Sequence, residues 1–164
     1  MRAEQDPPKK VPSLALLHSI PMFAGVPDAQ LESIARMAVQ RKVPRNTTIV
    51  RAGDTTDSLY VIVSGNARVL NSDAEGREVI LTLLGPGECF GEMGLIDGSP
   101  RSADVVASEP CELLVITKTE FKKCLSDNFD LCLNIMKSLV QRLREADRKI
   151  ESLALMDVYG RVAK

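Results

Sequence analysis

Apolar positions change their period twice along this chain. Over SLALLHSI and then PDAQLESIARMAVQ they recur at helical spacing, with Leu31, Ile34, Ala35 and Ala38 on one face behind Asp28 as a candidate N-cap. From Thr47 the pattern shortens to runs rich in Val and Ile: TTIV, SLYVIVS, ARVLN, EVILTLL, ADVVA and CELLVIT. Turn signals separate these runs at intervals of roughly 8–12 residues, which predicts an antiparallel sandwich or barrel. Gly53-Asp54, Gly65-Asn66, Ala74-Glu75-Gly76 and Gly85-Pro86-Gly87 occupy the expected turns. The reading is a mainly β protein with helices, of the jelly-roll type (a double-stranded β-helix).

Helical spacing returns at Thr117. TKTE matches a capping box, with Thr117 as N-cap and Glu120 at the third helical position. A long helix then runs from about Phe129 to Leu155, roughly 40 Å. Met136, Val140, Leu143, Asp147, Ile150 and Ala154 follow the alternating four-and-three spacing of a coiled-coil seam. Leu139, Leu143, Ala146, Ile150 and Leu153 offer a parallel, wholly apolar seam. A stripe of this length exceeds what one side of a small barrel covers. The helix is therefore expected to pair with its copy in a homodimer, the alternative being a helix packed only on its own barrel.

Composition narrows the function classes. The chain has 164 residues, 45% hydrophobic and 26% charged, with a formal net charge of -1, so it is no general electrostatic trap for nucleic acid. No apolar run is long enough to span a bilayer, and the polar, Pro-containing MRAEQDPPKK has no apolar core to direct secretion. The expected location is cytoplasmic. Cys89, Cys111, Cys124 and Cys132 lack metal-site spacing and read as small core residues in a reducing compartment. With His18 as its single histidine and no nucleophile motif, the chain is expected to be neither an enzyme nor a metal protein.

The stretch FGEMGLIDGSPRSA, Phe90 to Ala103, carries the candidate chemistry. Residues 91–96 can form one or two helical turns whose free N–H groups favour an anion. Gly91 lets the backbone approach that anion closely. Arg101 supplies a fork of donors suited to phosphate oxygens, and Ser102 adds a hydroxyl. Glu92 accepts a hydrogen bond from a sugar hydroxyl, or else orients a neighbouring arginine such as Arg142. An anion and a hydroxylated ring in an apolar barrel describe a nucleotide.

The order of these motifs resembles the cyclic nucleotide-binding domain and, more narrowly, bacterial transcription regulators of the Crp/Fnr type. IPMFAGVPDAQLESIA is similar to the family's entry helices, RAGDTTDSLYVIVSGNARV to its first strands, and FGEMGLIDGSPRSADVVA to its phosphate-binding cassette. The resemblance implies that Arg101, Ser102, Gly91 and Glu92 hold the cyclic phosphate and the ribose 2′-hydroxyl. It implies that Leu84, Met93 and Ala103 line the pocket. The long helix becomes the dimerisation helix, with Met136, Leu139, Val140, Leu143, Ala146, Ile150 and Leu153 at the interface.

LALMDVYGRVAK resembles the family's hinge and the opening of its DNA-binding domain, after which the sequence given stops. The expectation is a sensor portion of a longer regulator, with DNA contacted only through the missing part; a stand-alone sensor is the alternative. The expected divisions are a disordered leader at 1–12, a barrel with flanking helices at 13–126, the dimerisation helix at 127–156, and a hinge at 157–164.

The effector implied is cyclic AMP or cyclic GMP, without a metal. Where cyclic-AMP-binding members carry two adjacent hydroxyl residues on the long helix, this chain has Ala146-Asp147. Asp147 either faces solvent, pairs with Arg144 or Arg148, or accepts from the N1–H and N2–H₂ groups of a guanine, which adenine lacks. A dimeric scaffold that binds no nucleotide, or a different effector, is the rival reading. A nucleotide-binding domain from a kinase or channel is a second rival, which the DVYGRVA tail argues against. A cupin-type metalloenzyme is a third, and one histidine cannot build its site.

Overall fold

The computed structural model describes residues 11–162, so most of the leader expected at 1–12 and the last two residues of the expected hinge lie outside it. Among the described residues, eight strands form two antiparallel sheets of four. One sheet has β1 (Val39–Val43), β8 (Cys111–Thr117), β3 (Ser58–Ser64) and β6 (Cys89–Phe90) in that order. The other has β2 (Thr48–Val50), β7 (Asp104–Ala107), β4 (Ala67–Ser72) and β5 (Glu78–Leu84). This is the jelly-roll arrangement expected from the short, turn-separated runs.

Alternation along β3 explains how the sheets find their core. Tyr60 and Ile62 point into the barrel with Val43, Val50, Phe90, Val105 and Leu113. Leu59 and Val61 point the other way, into a second cluster built with the helices. A strand covered on both faces reads as a continuous apolar run, as SLYVIVS does. β1 and β6 were not marked by the apolar pattern. The first is VQRKV, paired to β8 from Val39↔Val115 to Val43↔Cys111, and the second is only two residues long.

The helices are α1 (Leu14–His18), α2 (Asp28–Met37), α3 (Glu92–Asp97), α4 (Lys118–Asp127) and α5 (Phe129–Val162), with a 3₁₀ turn at Pro21–Phe23. Two local expectations around α2 are corrected. Pro27, not Asp28, is the N-cap residue. Asp28 lies in the first turn, with its carboxylate 2.8 Å from His18 Nε2 on α1. Ala38 is not helical; it leaves α2 with ψ 142° and buries its methyl group as the chain turns into β1. Thr117 does cap α4, its hydroxyl accepting from Glu120 N at 3.4 Å.

The long helix differs from expectation in two ways. It runs unbroken to Val162, through the segment expected as a hinge from 157. No proline interrupts it there, Gly160 keeps helical geometry, and Asp157 pairs with Arg161 one turn on at 3.2 Å. Its barrel-facing stripe is Leu131, Ile135, Leu139 and Arg142. Leu139, expected at the dimer interface, instead packs partly buried against the helical core. Met136, Val140, Leu143, Ile150 and Leu153 are left exposed, as is Ala146. No described helix is long and apolar enough to cross a membrane, and the described residues contain no metal-ligating cluster.

Candidate functional site

β6 delivers the chain to Gly91, which takes φ 94° as the N-cap of α3. That left-handed backbone turns Glu92 inward, where it is 2% exposed. The loop after α3 brings Arg101 back beside Gly91. A Cβ placed on Gly91 would sit 2.0 Å from Arg101 Nη1 and 2.9 Å from the Ser58 carbonyl oxygen, so only glycine allows this approach.

Arg101 is fixed by backbone and side chain together. Its N–H donates to Asp54 O at 2.9 Å and its carbonyl accepts from Gly53 N at 2.8 Å, tying it to the β2–β3 loop. Its Nη2 donates to Ser58 O at 2.6 Å, and its guanidinium carbon lies 5.7 Å from the Tyr60 ring centroid. Tyr60 in turn stacks on Phe90, with centroids 5.0 Å apart. Arg101 is 8% exposed, yet Nη1 has no hydrogen-bond partner. Burial lowers its pKa from the ordinary arginine value, opposed by Tyr60, Asp57, Glu92 and Asp54. A buried guanidinium with an unused N–H is poised for an anion.

Glu92 meets the long helix. Arg142 Nη1 pairs with Glu92 Oε1, and Arg142 Nη2 donates to Cys89 O at 3.0 Å. Glu92 Oε2 is buried without a partner. It is a buried acceptor with room for one more donor, and a hydroxyl group is one kind that suits it. Burial, with Glu92 nearby, pushes the Cys89 thiol up to about 12 against the opposing pull of Arg142, so this sulfur stays protonated and packs rather than reacts.

α3 is pinned from outside. Thr56 Oγ1 donates to Ser99 O at 2.9 Å, and a Cβ on Gly94 would lie 2.3 Å from that hydroxyl. Gly91, Glu92 and Arg101 therefore converge. Ala103 and Leu84 are buried, and Leu84 joins the barrel-interior cluster. Ser102 and Met93 face outward, Met93 being 60% exposed. Asp147 is exposed, five residues beyond Arg142, which amounts to about 140° around the helix from the barrel-facing stripe. Within one chain it does not join the pocket. Tyr60 and the Ser58 carbonyl were missed by sequence reasoning. Nothing in SLYVIVS distinguishes an aromatic under an arginine from an ordinary core residue.

A family profile described as "Cyclic nucleotide-binding domain" matches residues 40–128. The "cAMP-activated global transcriptional regulator CRP" of Pasteurella multocida is 37% identical over 124 residues, covering 75% of this chain and 59% of that protein. The protein of the same name in Salmonella typhimurium is 35% identical over 146 residues, covering 87% of this chain and 70% of the relative. The crystal structure of Thermus thermophilus Catabolite Activator Protein superposes with TM-score 0.73 at 34% identity, over 82% of this chain and 63% of that one.

Proposed function

The chain belongs to the cyclic nucleotide-binding domain family alongside Crp-type transcription regulators, and from that premise we propose that it is a cytoplasmic dimeric sensor whose effector is a cyclic purine nucleotide. The carrying observation is a pair of buried, unsatisfied groups on one cassette: a free N–H on Arg101 and a free oxygen on Glu92. A cyclic phosphate takes the first, with the α3 amides behind Gly91, while Ser102 faces outward. The ribose 2′-hydroxyl takes the second. Leu84 and Ala103 contribute apolar lining, and Met93 stays on the outer side of α3.

Arg142 supports a route from pocket to helix. It already holds Glu92 Oε1 from α5, so any ligand that reorganises Glu92 changes a contact of the long helix. Two α5 helices pair along Met136, Val140, Leu143, Asp147 and Ile150, and ligand biases how they run. In the whole protein this would reposition DNA-binding domains, and the activity is regulation rather than catalysis.

Asp147 bears on which purine is sensed. At a seam position it projects toward the second copy, where a carboxylate would accept from guanine N1–H and N2–H₂. That supports cyclic GMP over cyclic AMP. Calorimetric titration of both nucleotides into the protein, with Arg101→Leu as control, tests the reading. Saturable binding that the substitution weakens is expected. Equal affinity in the Arg101→Leu variant, or no binding of either nucleotide, would overturn the sensor assignment, and tighter cyclic AMP binding would overturn the guanine preference.

A further inference from the structure

Arg101 ends in a planar group on a flexible stem, and that plane must be held if its free Nη1 is to meet an anion. The backbone bonds to Asp54 and Gly53 anchor only the Cα end of the side chain. One hydrogen bond, from Nη2 to Ser58 O at 2.6 Å, fixes a point on the guanidinium and leaves rotation about that point open. A second hold comes from Tyr60. Its ring centroid lies 5.7 Å from the guanidinium carbon, inside the roughly 6 Å reach of a cation over an aromatic face.

The ring is itself held in place. Tyr60 faces Phe90 across the β3–β6 pairing, and their rings lie within 5° of parallel with centroids 5.0 Å apart. Both residues are buried, so neither ring can swing away from the stack. The carbonyl of Ser58 and the ring of Tyr60 sit two residues apart on β3, and each touches the same guanidinium. Phe90 directly precedes Gly91, whose missing side chain leaves the space that Nη1 occupies. Two paired strands thus shape one seat for one cation. Burial strengthens the contact, since a cation on an aromatic face gains most when water is excluded.

We propose that Tyr60 is a positioning residue for ligand binding: its face sets the plane of the Arg101 guanidinium so that Nη1 is presented to the phosphate, with Phe90 as the backing layer. The inference rests on the reading that Arg101 binds the phosphate of a cyclic nucleotide. Holding the donor in its bound orientation before the ligand arrives removes an ordering cost from binding, so the ring raises affinity without touching the nucleotide. Ordinary core packing would need only the volume of a side chain at position 60. Positioning needs an electron-rich face, and it matters only while a cation stands over that face.

Calorimetric titration of cyclic AMP and cyclic GMP into the wild-type chain, Tyr60→Leu and Tyr60→Phe tests the inference, with circular dichroism to verify folding. Tyr60→Leu is expected to weaken binding about 5- to 30-fold, the loss of a desolvated cation–aromatic contact, and Tyr60→Phe to recover affinity to within about threefold of wild type. In an Arg101→Leu background, Tyr60→Leu is expected to change the remaining affinity by less than about twofold, because no cation is left to position. Fully ring-fluorinated phenylalanine at position 60 keeps the shape of phenylalanine and reverses the charge of its face. It is expected to bind nucleotide at least about fivefold more weakly than Tyr60→Phe, and this comparison decides the matter if Tyr60→Leu does not fold. Wild-type affinity in Tyr60→Leu, equal affinity in the two ring variants, or an undiminished effect of Tyr60→Leu without Arg101 overturns this inference and leaves the sensor reading intact. No binding of either nucleotide to the wild-type chain overturns the sensor reading itself.

Discussion

Arg142 of the long helix closes on the buried carboxylate of Glu92, fifty residues earlier in the chain, and so ties α5 to the start of α3. Removing the cation strands a carboxylate that is 3% exposed. Arg142→Met is expected to destabilise the fold by about 1–3 kcal/mol, the cost of an unsatisfied buried polar group, moderated because Arg142 is itself 40% exposed. Urea denaturation checks this. Adding Glu92→Gln is expected to restore part of the loss, giving a coupling of at least about 0.5 kcal/mol.

Arg101→Leu removes the phosphate partner while keeping an apolar stem over Tyr60. Nucleotide affinity is expected to fall by about 1.5–3 kcal/mol, on the order of 10- to 150-fold. Titration calorimetry measures it. A thermal-shift assay without ligand should show a modest loss of stability, because the buried Ser58 carbonyl loses its hydrogen bond from Arg101 Nη2.

Gly91→Ala tests the close approach. The new Cβ meets both φ 94° and the Arg101 guanidinium at 2.0 Å, so a loss of roughly 1–3 kcal/mol is expected, with weaker nucleotide binding. Gly25→Ala is the control. Gly25 also has positive φ, 78°, but nothing lies within 4 Å of an added Cβ, so it should show the backbone cost alone and bind nucleotide normally. Denaturation curves of both variants, run in parallel, separate the contact from the conformation.

The Cys89 thiol sets an alkaline limit. Its folded pKa is raised from 9.0 to about 12. Between those values the unfolded chain loses a proton that the folded chain retains, so stability falls as pH rises through this window, by at most about 1.4 kcal/mol per pH unit. Cys89→Ala should flatten that slope. At pH 8, iodoacetamide should modify Cys89 in the native protein far more slowly than after denaturation; comparable rates would contradict the burial.

Asp147→Ser restores a hydroxyl at the seam. If the guanine reading holds, the ratio of cyclic GMP to cyclic AMP affinity should drop by about 5- to 150-fold, the span of one bidentate base contact. Competition binding with both nucleotides reads the ratio directly, and an unchanged ratio would remove Asp147 from the site.

Local patterning accounts for much of this protein. The short Val- and Ile-rich runs and their glycine turns define β2, β3, β4, β5, β7 and β8, and Thr117 announces α4, because these signals act within a few residues of the chain. The cassette was legible for the same reason: Gly91, Glu92 and Arg101 lie within eleven consecutive residues. Strand β1 escaped because VQRKV owes its conformation to β8, some seventy residues away. Tertiary structure alone decided which stripe of α5 is buried. Two seams with the same spacing were open in the sequence, and packing against the helical core took Leu139 inward and left Met136, Val140 and Leu143 outside. It also chose Arg142 as the partner of Glu92 and set Tyr60 beneath Arg101. Periodicity is a property of one segment. Which face is covered, and which charge meets which, depends on the surface that the rest of the fold brings against it.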